Sequence, residues 1–103
     1  MLIIGERINA SRKAIAEAIS SNNATLIQNE ARAQAAAGAD YIDVNAGTFV
    51  GEEANRLKWV AEIVQGAVDL PLSIDSPDPE VIKAVLPMAR KRPIINSITL
   101  EKN

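Results

Sequence analysis

The chain has 103 residues, of which 48% are hydrophobic and 23% are charged, and its formal net charge is −2. This balance is typical of one soluble globular domain, and the lack of a basic stripe argues against nucleic acid as a partner. Cysteine and histidine are both absent, which excludes disulfides, metal sites built on thiolate or imidazole, and Ser-His-Asp catalysis. With both residue types missing, we expect no metal ligands. No apolar run is long enough to span a membrane and no signal-peptide pattern is present, so we also expect a cytoplasmic protein that has no membrane contact.

The first half of the chain predicts two strands and two helices. A strand over residues 2–5 is followed by a polar loop and by a helix whose N-cap is Ser11. An alanine-rich helix covers residues 25–37, and Gly38 is placed to end it in a left-handed conformation. The second strand covers residues 41–44. The apolar spacing predicts buried helix positions at Ile15, Ala18, Ile19, Leu26, Ile27 and Ala31.

The second half repeats the same alternation. A helix begins near Glu53, and a strand follows over residues 72–75. Asp78 is a good N-cap for the last helix, which Pro87 is expected to kink or shorten, and a fourth strand begins at residue 94. The predicted buried positions are Leu57, Val60, Ala61 and Val64 in the third helix and Val81, Ile82, Val85 and Leu86 in the fourth.

The order of elements, β-α-β-α-β-α-β, predicts an α/β fold with a parallel sheet buried on both faces. The units repeat at roughly thirty residues, as in a (β/α)8 TIM barrel, which needs about 250 residues in all. We therefore expect one domain over residues 1–103, the N-terminal half of such a barrel. Three arrangements remain open: a fragment of a longer protein, which we favour, a homodimer that pairs two open halves, or an open four-stranded sheet.

Polar residues stand at the carboxyl ends of the predicted strands, where parallel sheets and barrels bind their ligands. Asp75 could serve as a helix cap, but Asp78 already offers that cap. The Asp75 carboxylate is then suited to accept two parallel N–H bonds from a guanidine-like edge, such as that of a pterin. Asn96 offers a donor and an acceptor to a heterocycle, or it bonds its own backbone in a turn.

Three further residues are secondary candidates for binding. Asp43 and Asn45 point the same way if the second strand extends that far, so that one lines the site and the other holds the loop. For Asp43 we favour a buried role behind the ligand contacts, as an acceptor for backbone or for Arg7. Asn9 is the residue after the first strand that is best placed to reach a ligand.

These residues also carry a family resemblance. In order and spacing, four segments resemble the pterin-binding family, and within it the methyltetrahydrofolate:corrinoid methyltransferases and the folate domain of cobalamin-dependent methionine synthase. The segments are residues 5–9 (GERIN), 42–47 (IDVNAG), 74–76 (IDS) and 95–97 (INS). The resemblance covers the whole chain but only the first half of the family's TIM barrel.

The resemblance implies that Asp75 and Asn96 hydrogen-bond the pterin at the mouth of the barrel. It further implies transfer of the N5-methyl group of methyltetrahydrofolate to the cobalt of a corrinoid (cobalamin) carried by a partner protein. The family's group at N5 would come from beyond residue 103, so no catalytic residue is assigned within this chain. Two rivals remain: a dihydropteroate synthase-like enzyme, whose typical loops after the first two strands are absent, and a non-catalytic half-barrel that associates with itself.

Overall fold

The computed structural model describes residues 2–6, 8–10, 12–49 and 51–96, and at position 96 it describes the backbone alone. Four parallel strands form one sheet, in which each strand pairs with the next one along the chain. This sequential parallel order is that of a (β/α)8 barrel, of which it supplies one half. The predicted α/β half-barrel is therefore confirmed. The strands are β1 (Ile4–Gly5), β2 (Tyr41–Val44), β3 (Leu72–Asp75) and β4 (Ile94–Asn96).

Four helices connect and flank the strands. Consecutive helices pack against each other, so they form a single layer. This follows from the strand order, because right-handed crossovers between sequential parallel strands place every helix on the same side of the sheet. The helices are α1 (Lys13–Ser20), α2 (Ala24–Ala36), α3 (Glu53–Ala67) and α4 (Pro79–Val85), and a 3-10 turn, Leu86–Met88, follows α4.

The hydrophobic core lies between the helices and one face of the sheet. Ile42 and Val44 of β2 and Leu72 and Ile74 of β3 alternate along their strands and are all buried on this face. Burying such side chains is the main favourable contribution to folding, at about 1.5–3 kcal/mol each. Most of the predicted helix stripes are buried with them, namely Ile15, Ala18 and Ile19 in α1, Ile27 and Ala31 in α2, Leu57, Val60, Ala61 and Val64 in α3, and Val81 and Val85 in α4.

The other face of the sheet, which we call the open face, carries the alternate residues Tyr41, Asp43, Ser73 and Asp75. No helix among the described residues covers it, because all four helices lie on the opposite side. The expectation of a sheet buried on both faces is therefore wrong for the part of the chain that the structure describes. Asp43 and Ser73 are nevertheless buried, while Tyr41 and Asp75 remain partly exposed.

Two further expectations need correction. Leu86 was expected to pack inward but is 42% exposed, because α4 ends at Val85 and the chain continues as a 3-10 turn that contains Pro87. Proline has no N–H with which to continue the α-helical bonding, so the α-helix ends here and Leu86 no longer lies on the buried face of α4. Ser11, the expected cap of α1, lies outside the described residues, and the N-cap position is Arg12, whose side chain makes no cap bond.

Other helix ends agree with the sequence. Asp78 caps α4 by accepting a hydrogen bond from the Glu80 N–H at 2.9 Å, with Pro79 as the first helical residue. Asn23 caps α2, where its side chain accepts from the Leu26 N–H at 3.3 Å. Beyond the end of α2, Gly38 has a φ of 98°, the left-handed conformation that its position predicts.

Replacing Gly38 by alanine is expected to lower the free energy of unfolding by about 1 kcal/mol, because a Cβ is strained at positive φ. The matched control is Gly66→Ala within α3, where a Cβ meets no atom within 4 Å and the backbone is helical. That change should raise the free energy of unfolding by up to about 1 kcal/mol. Urea unfolding measures both, and a destabilising effect of the same size in the two variants would contradict the assigned end of α2.

Candidate functional site

The register of the sheet brings the predicted binding residues to one edge. Asp75, the last residue of β3, lies directly opposite Asn96, the last residue of β4. Beyond β1 and β2, a parallel bridge between Asn9 and Asn45 continues the same edge. These four residues therefore all lie at the carboxyl end of the sheet.

A group of carboxyl and hydroxyl side chains lies on the open face next to this edge. Asp43 is only 4% exposed and accepts a hydrogen bond from the buried Ser73 hydroxyl at 2.8 Å. Burial raises the pKa of Asp43 from 3.8 to about 7, against the opposing effect of the Ser73 hydrogen bond, and the nearby Asp75 and Glu6 carboxylates raise it further. Near neutral pH a large fraction of Asp43 is therefore a neutral acid, able to donate a hydrogen bond to Asp75.

The loop after β2 is fixed by its own side chains and by the loop after β1. The side-chain oxygen of Asn45 accepts a hydrogen bond from the Gly47 N–H at 2.9 Å, and the Asn45 carbonyl accepts from the Ala10 N–H at 3.3 Å. The Thr48 hydroxyl donates to the Ala10 carbonyl at 3.3 Å. The Asn45 side-chain oxygen is therefore engaged within the loop, which is one of the two roles left open for this residue.

Asp75 differs from these buried neighbours in its exposure. Its side chain is partly exposed at the edge of the open face, and the cap of α4 is supplied by Asp78 instead, as expected. Its backbone belongs to β3, a central strand that is hydrogen-bonded on both sides. Asp75 is thus presented on the open face of the sheet, at its carboxyl end.

Two contacts near the site were not predicted. One is the Ser73–Asp43 hydrogen bond, and the other joins the buried Ser76 hydroxyl to the Glu53 carboxylate at 2.7 Å. A signal for the first exists in the sequence, because Asp43 and Ser73 are polar interruptions of two apolar strands that a parallel sheet sets side by side. The second contact joins a strand end to a helix start 23 residues earlier in the chain, and no local pattern marks it.

In the described part of the chain, no three acidic side chains converge closely enough to hold a metal ion. No helix within the same ranges is long and apolar enough to cross a bilayer.

Comparison with known proteins agrees with this geometry. Residues 5–103 match the family model described as pterin binding enzyme, so the chain belongs to the pterin-binding enzyme family. The chain is also 48% identical, over all of its 103 residues, to a methylcorrinoid:tetrahydrofolate methyltransferase of Eubacterium limosum. It spans 38% of the length of that relative. The resemblance read from the four sequence segments is confirmed at the level of the family, and a methyltransferase relative supports its narrower form.

Proposed function

We propose that this chain forms the first four strands, with the helices between them, of a pterin-binding methyltransferase barrel and holds the pterin of methyltetrahydrofolate at the carboxyl end of its sheet. The observation that carries the proposal is the partly exposed Asp75 carboxylate on the open face, opposite position 96 of β4. Carboxyl ends of parallel strands are the ligand-binding end of this fold.

The chemistry of these side chains suits a pterin. Its pyrimidine ring offers an N–H and an exocyclic amino group side by side, and a carboxylate such as Asp75 accepts both in a bidentate, charge-assisted pair. An amide at position 96 supplies one donor and one acceptor for the remaining polar atoms of that ring. Asn9 is proposed as an additional contact from the loop after β1, next to Asn45.

Asp43 has a supporting role in this proposal. A neutral Asp43 acid that donates to Asp75 fixes the orientation of the Asp75 carboxylate and leaves the negative charge on the residue nearest the ligand. Ser73 orients Asp43 in turn, through the hydrogen bond at 2.8 Å. This matches the buried role favoured for Asp43, with Ser73 as its partner, whereas Arg7 lies outside the described residues.

The proposed reaction moves a methyl group between N5 of the folate and the cobalt of a corrinoid carried by a partner protein. The corrinoid supplies a strongly nucleophilic metal, and the residues of this chain orient the folate. Protonation or hydrogen bonding at N5 eases departure of the nitrogen, and we assign that group to the part of the barrel outside these 103 residues. The relative's name describes methyl transfer toward tetrahydrofolate. The two directions of the reaction share one transition state, so the same binding geometry serves both.

A hybrid enzyme tests the transfer. The chain replaces the matching segment of the Eubacterium limosum relative, and methyl exchange between methyltetrahydrofolate and a reduced corrinoid is followed by the corrinoid absorption spectrum. We expect a soluble, active hybrid whose activity is lost with Asp75→Ala. A folded hybrid that binds a pterin but transfers no methyl group would favour the dihydropteroate synthase-like alternative, for which condensation with an aromatic amine is the direct assay.

Self-association of the half-barrel is the second candidate. In the described residues, three exposed large hydrophobic side chains lie at the two sides of the sheet, Leu2 and Ile3 next to β1 and Ile95 in β4, and a fourth, Leu86, follows α4. Both β1 and β4 have one unpaired edge, and a two-fold axis would set β4 of one copy parallel to β1 of another. This arrangement would close eight strands into a barrel.

The dimer is expected to have twice the 11.0 kDa mass of the chain in light scattering after size exclusion. Ile95→Asp should yield a monomer, because it places a charge in the proposed β4–β1 seam. The control is Ala33→Asp on the exposed side of α2, which should remain a dimer. A wild-type chain that is monomeric and soluble would contradict self-association.

A further inference from the structure

The three loops at the carboxyl end of the sheet are tied to one another in series. The loop after β1 is bonded to the loop after β2 through the Thr48 hydroxyl and the Ala10 carbonyl. The start of α3, which follows the β2 loop, is bonded to the loop after β3 through Glu53 and Ser76. The Glu53–Ser76 hydrogen bond therefore joins the residue after Asp75 to the start of α3, the helix that follows the β2 loop.

Ser76 is completely buried and uses its hydroxyl twice. It donates to the Glu53 carboxylate at 2.7 Å and accepts from the Asp78 N–H at 3.1 Å. The first bond fixes the start of the β3–α4 loop to α3, and the second fixes the turn that leads into α4. Since Ser76 directly follows Asp75, both bonds limit the freedom of the Asp75 backbone.

The position of Glu53 suits this role. It is the acidic residue in the first turn of α3, where the helix dipole favours its negative charge. Its neighbour Glu52 is engaged elsewhere, in an ion pair with Arg56 at 3.2 Å. A charged acceptor makes the bond to the buried Ser76 hydroxyl stronger than one between neutral groups.

We propose that Glu53 and Ser76 are positioning residues for the pterin site. Their hydrogen bond, which we call the latch, lies on the helix side of the sheet and fixes Asp75 for the ligand. Side chains alternate along a strand, so Ser76 points toward the helix layer while Asp75 points to the open face. The latch therefore supports the ligand contact from the side that the ligand does not touch. This inference rests on the proposed function, because it assigns a role in pterin affinity.

The test is calorimetric titration of the 103-residue chain with methyltetrahydrofolate. Glu53→Ala and Ser76→Ala are each expected to raise Kd about three- to tenfold, the effect of one lost hydrogen bond. Glu53→Gln keeps an acceptor for the Ser76 hydroxyl and should lie close to wild type. Gly38→Ala is the control for stability, because it destabilises the fold at the opposite end of the sheet and should leave Kd unchanged.

The outcomes separate the latch from the proposed function. A wild-type chain that binds no methyltetrahydrofolate overturns both. A chain whose affinity falls with Asp75→Ala but is unchanged by Glu53→Ala and Ser76→Ala keeps the pterin site and overturns the latch. Equal losses in Glu53→Ala and in Gly38→Ala would also overturn it, because the effect would then follow stability alone.

Discussion

Asp75→Ala is expected to weaken the binding of methyltetrahydrofolate by about 1.5–3 kcal/mol, which is roughly a 10- to 150-fold increase in Kd. The reason is that the proposed contact is charge-assisted and bidentate, so that its loss leaves two pterin donors without an acceptor. Asp75→Asn keeps one acceptor oxygen but adds a donor facing the pterin N–H groups. We expect it to bind nearly as weakly as the alanine variant.

Asp69→Ala is the matched control for this prediction. Asp69 precedes β3 at the other end of the sheet, is exposed, and forms an ion pair with Lys91 at 3.5 Å. Such surface pairs contribute about 0–1 kcal/mol to stability, and this one is remote from the site. The affinity of Asp69→Ala should equal that of wild type. An unchanged affinity in Asp75→Ala would remove Asp75 from the site.

Asp43→Asn is expected to stabilise the protein at pH 8 by about 2–4 kcal/mol relative to wild type, while at pH 4 the two should differ little. The pKa of Asp43 is raised by burial from 3.8 to about 7. Between these values the folded chain retains a proton that the unfolded chain has released. Asp43 therefore makes its full contribution to the free energy of unfolding below about pH 4. This contribution is lost as the pH rises through 7.

Asparagine removes this dependence because it is neutral throughout. It can still accept from the Ser73 hydroxyl and donate to Asp75, so the local hydrogen bonds are preserved. Urea unfolding of both proteins at several pH values between 4 and 8 gives the comparison, with the exposed Asp69→Asn as a control that should follow wild type. Parallel curves for wild type and Asp43→Asn would show that Asp43 is ionised in the folded chain.

The sequence was sufficient for the fold because its signals are local and repeated. Short apolar runs mark the four strands, helical spacing marks the stripe of Val60 and Val64 in α3, and end signals such as Asp78 and Gly38 mark the helix boundaries. The parallel order then follows from short strands separated by helices. It also places Asp75 and position 96 side by side without any knowledge of distances.

What the sequence could not supply depends on tertiary contacts. The break after α4 at Pro87 was predicted, but the exposure of Leu86 follows from how the 3-10 turn is placed against the rest of the fold. The Glu53–Ser76 bond depends on how α3 sits over β3. The raised pKa of Asp43 depends on its burial, which only the tertiary structure sets.

Native mass spectrometry of the 103-residue chain, with and without methyltetrahydrofolate, tests the pterin site most directly. It reports in one experiment how many copies associate and how many ligands they hold. We predict a folate adduct on the wild-type chain, one for each Asp75 site, and its loss in Asp75→Ala at the same ligand concentration. A folded wild-type chain without an adduct, or an equal adduct in both proteins, would contradict a pterin site at Asp75.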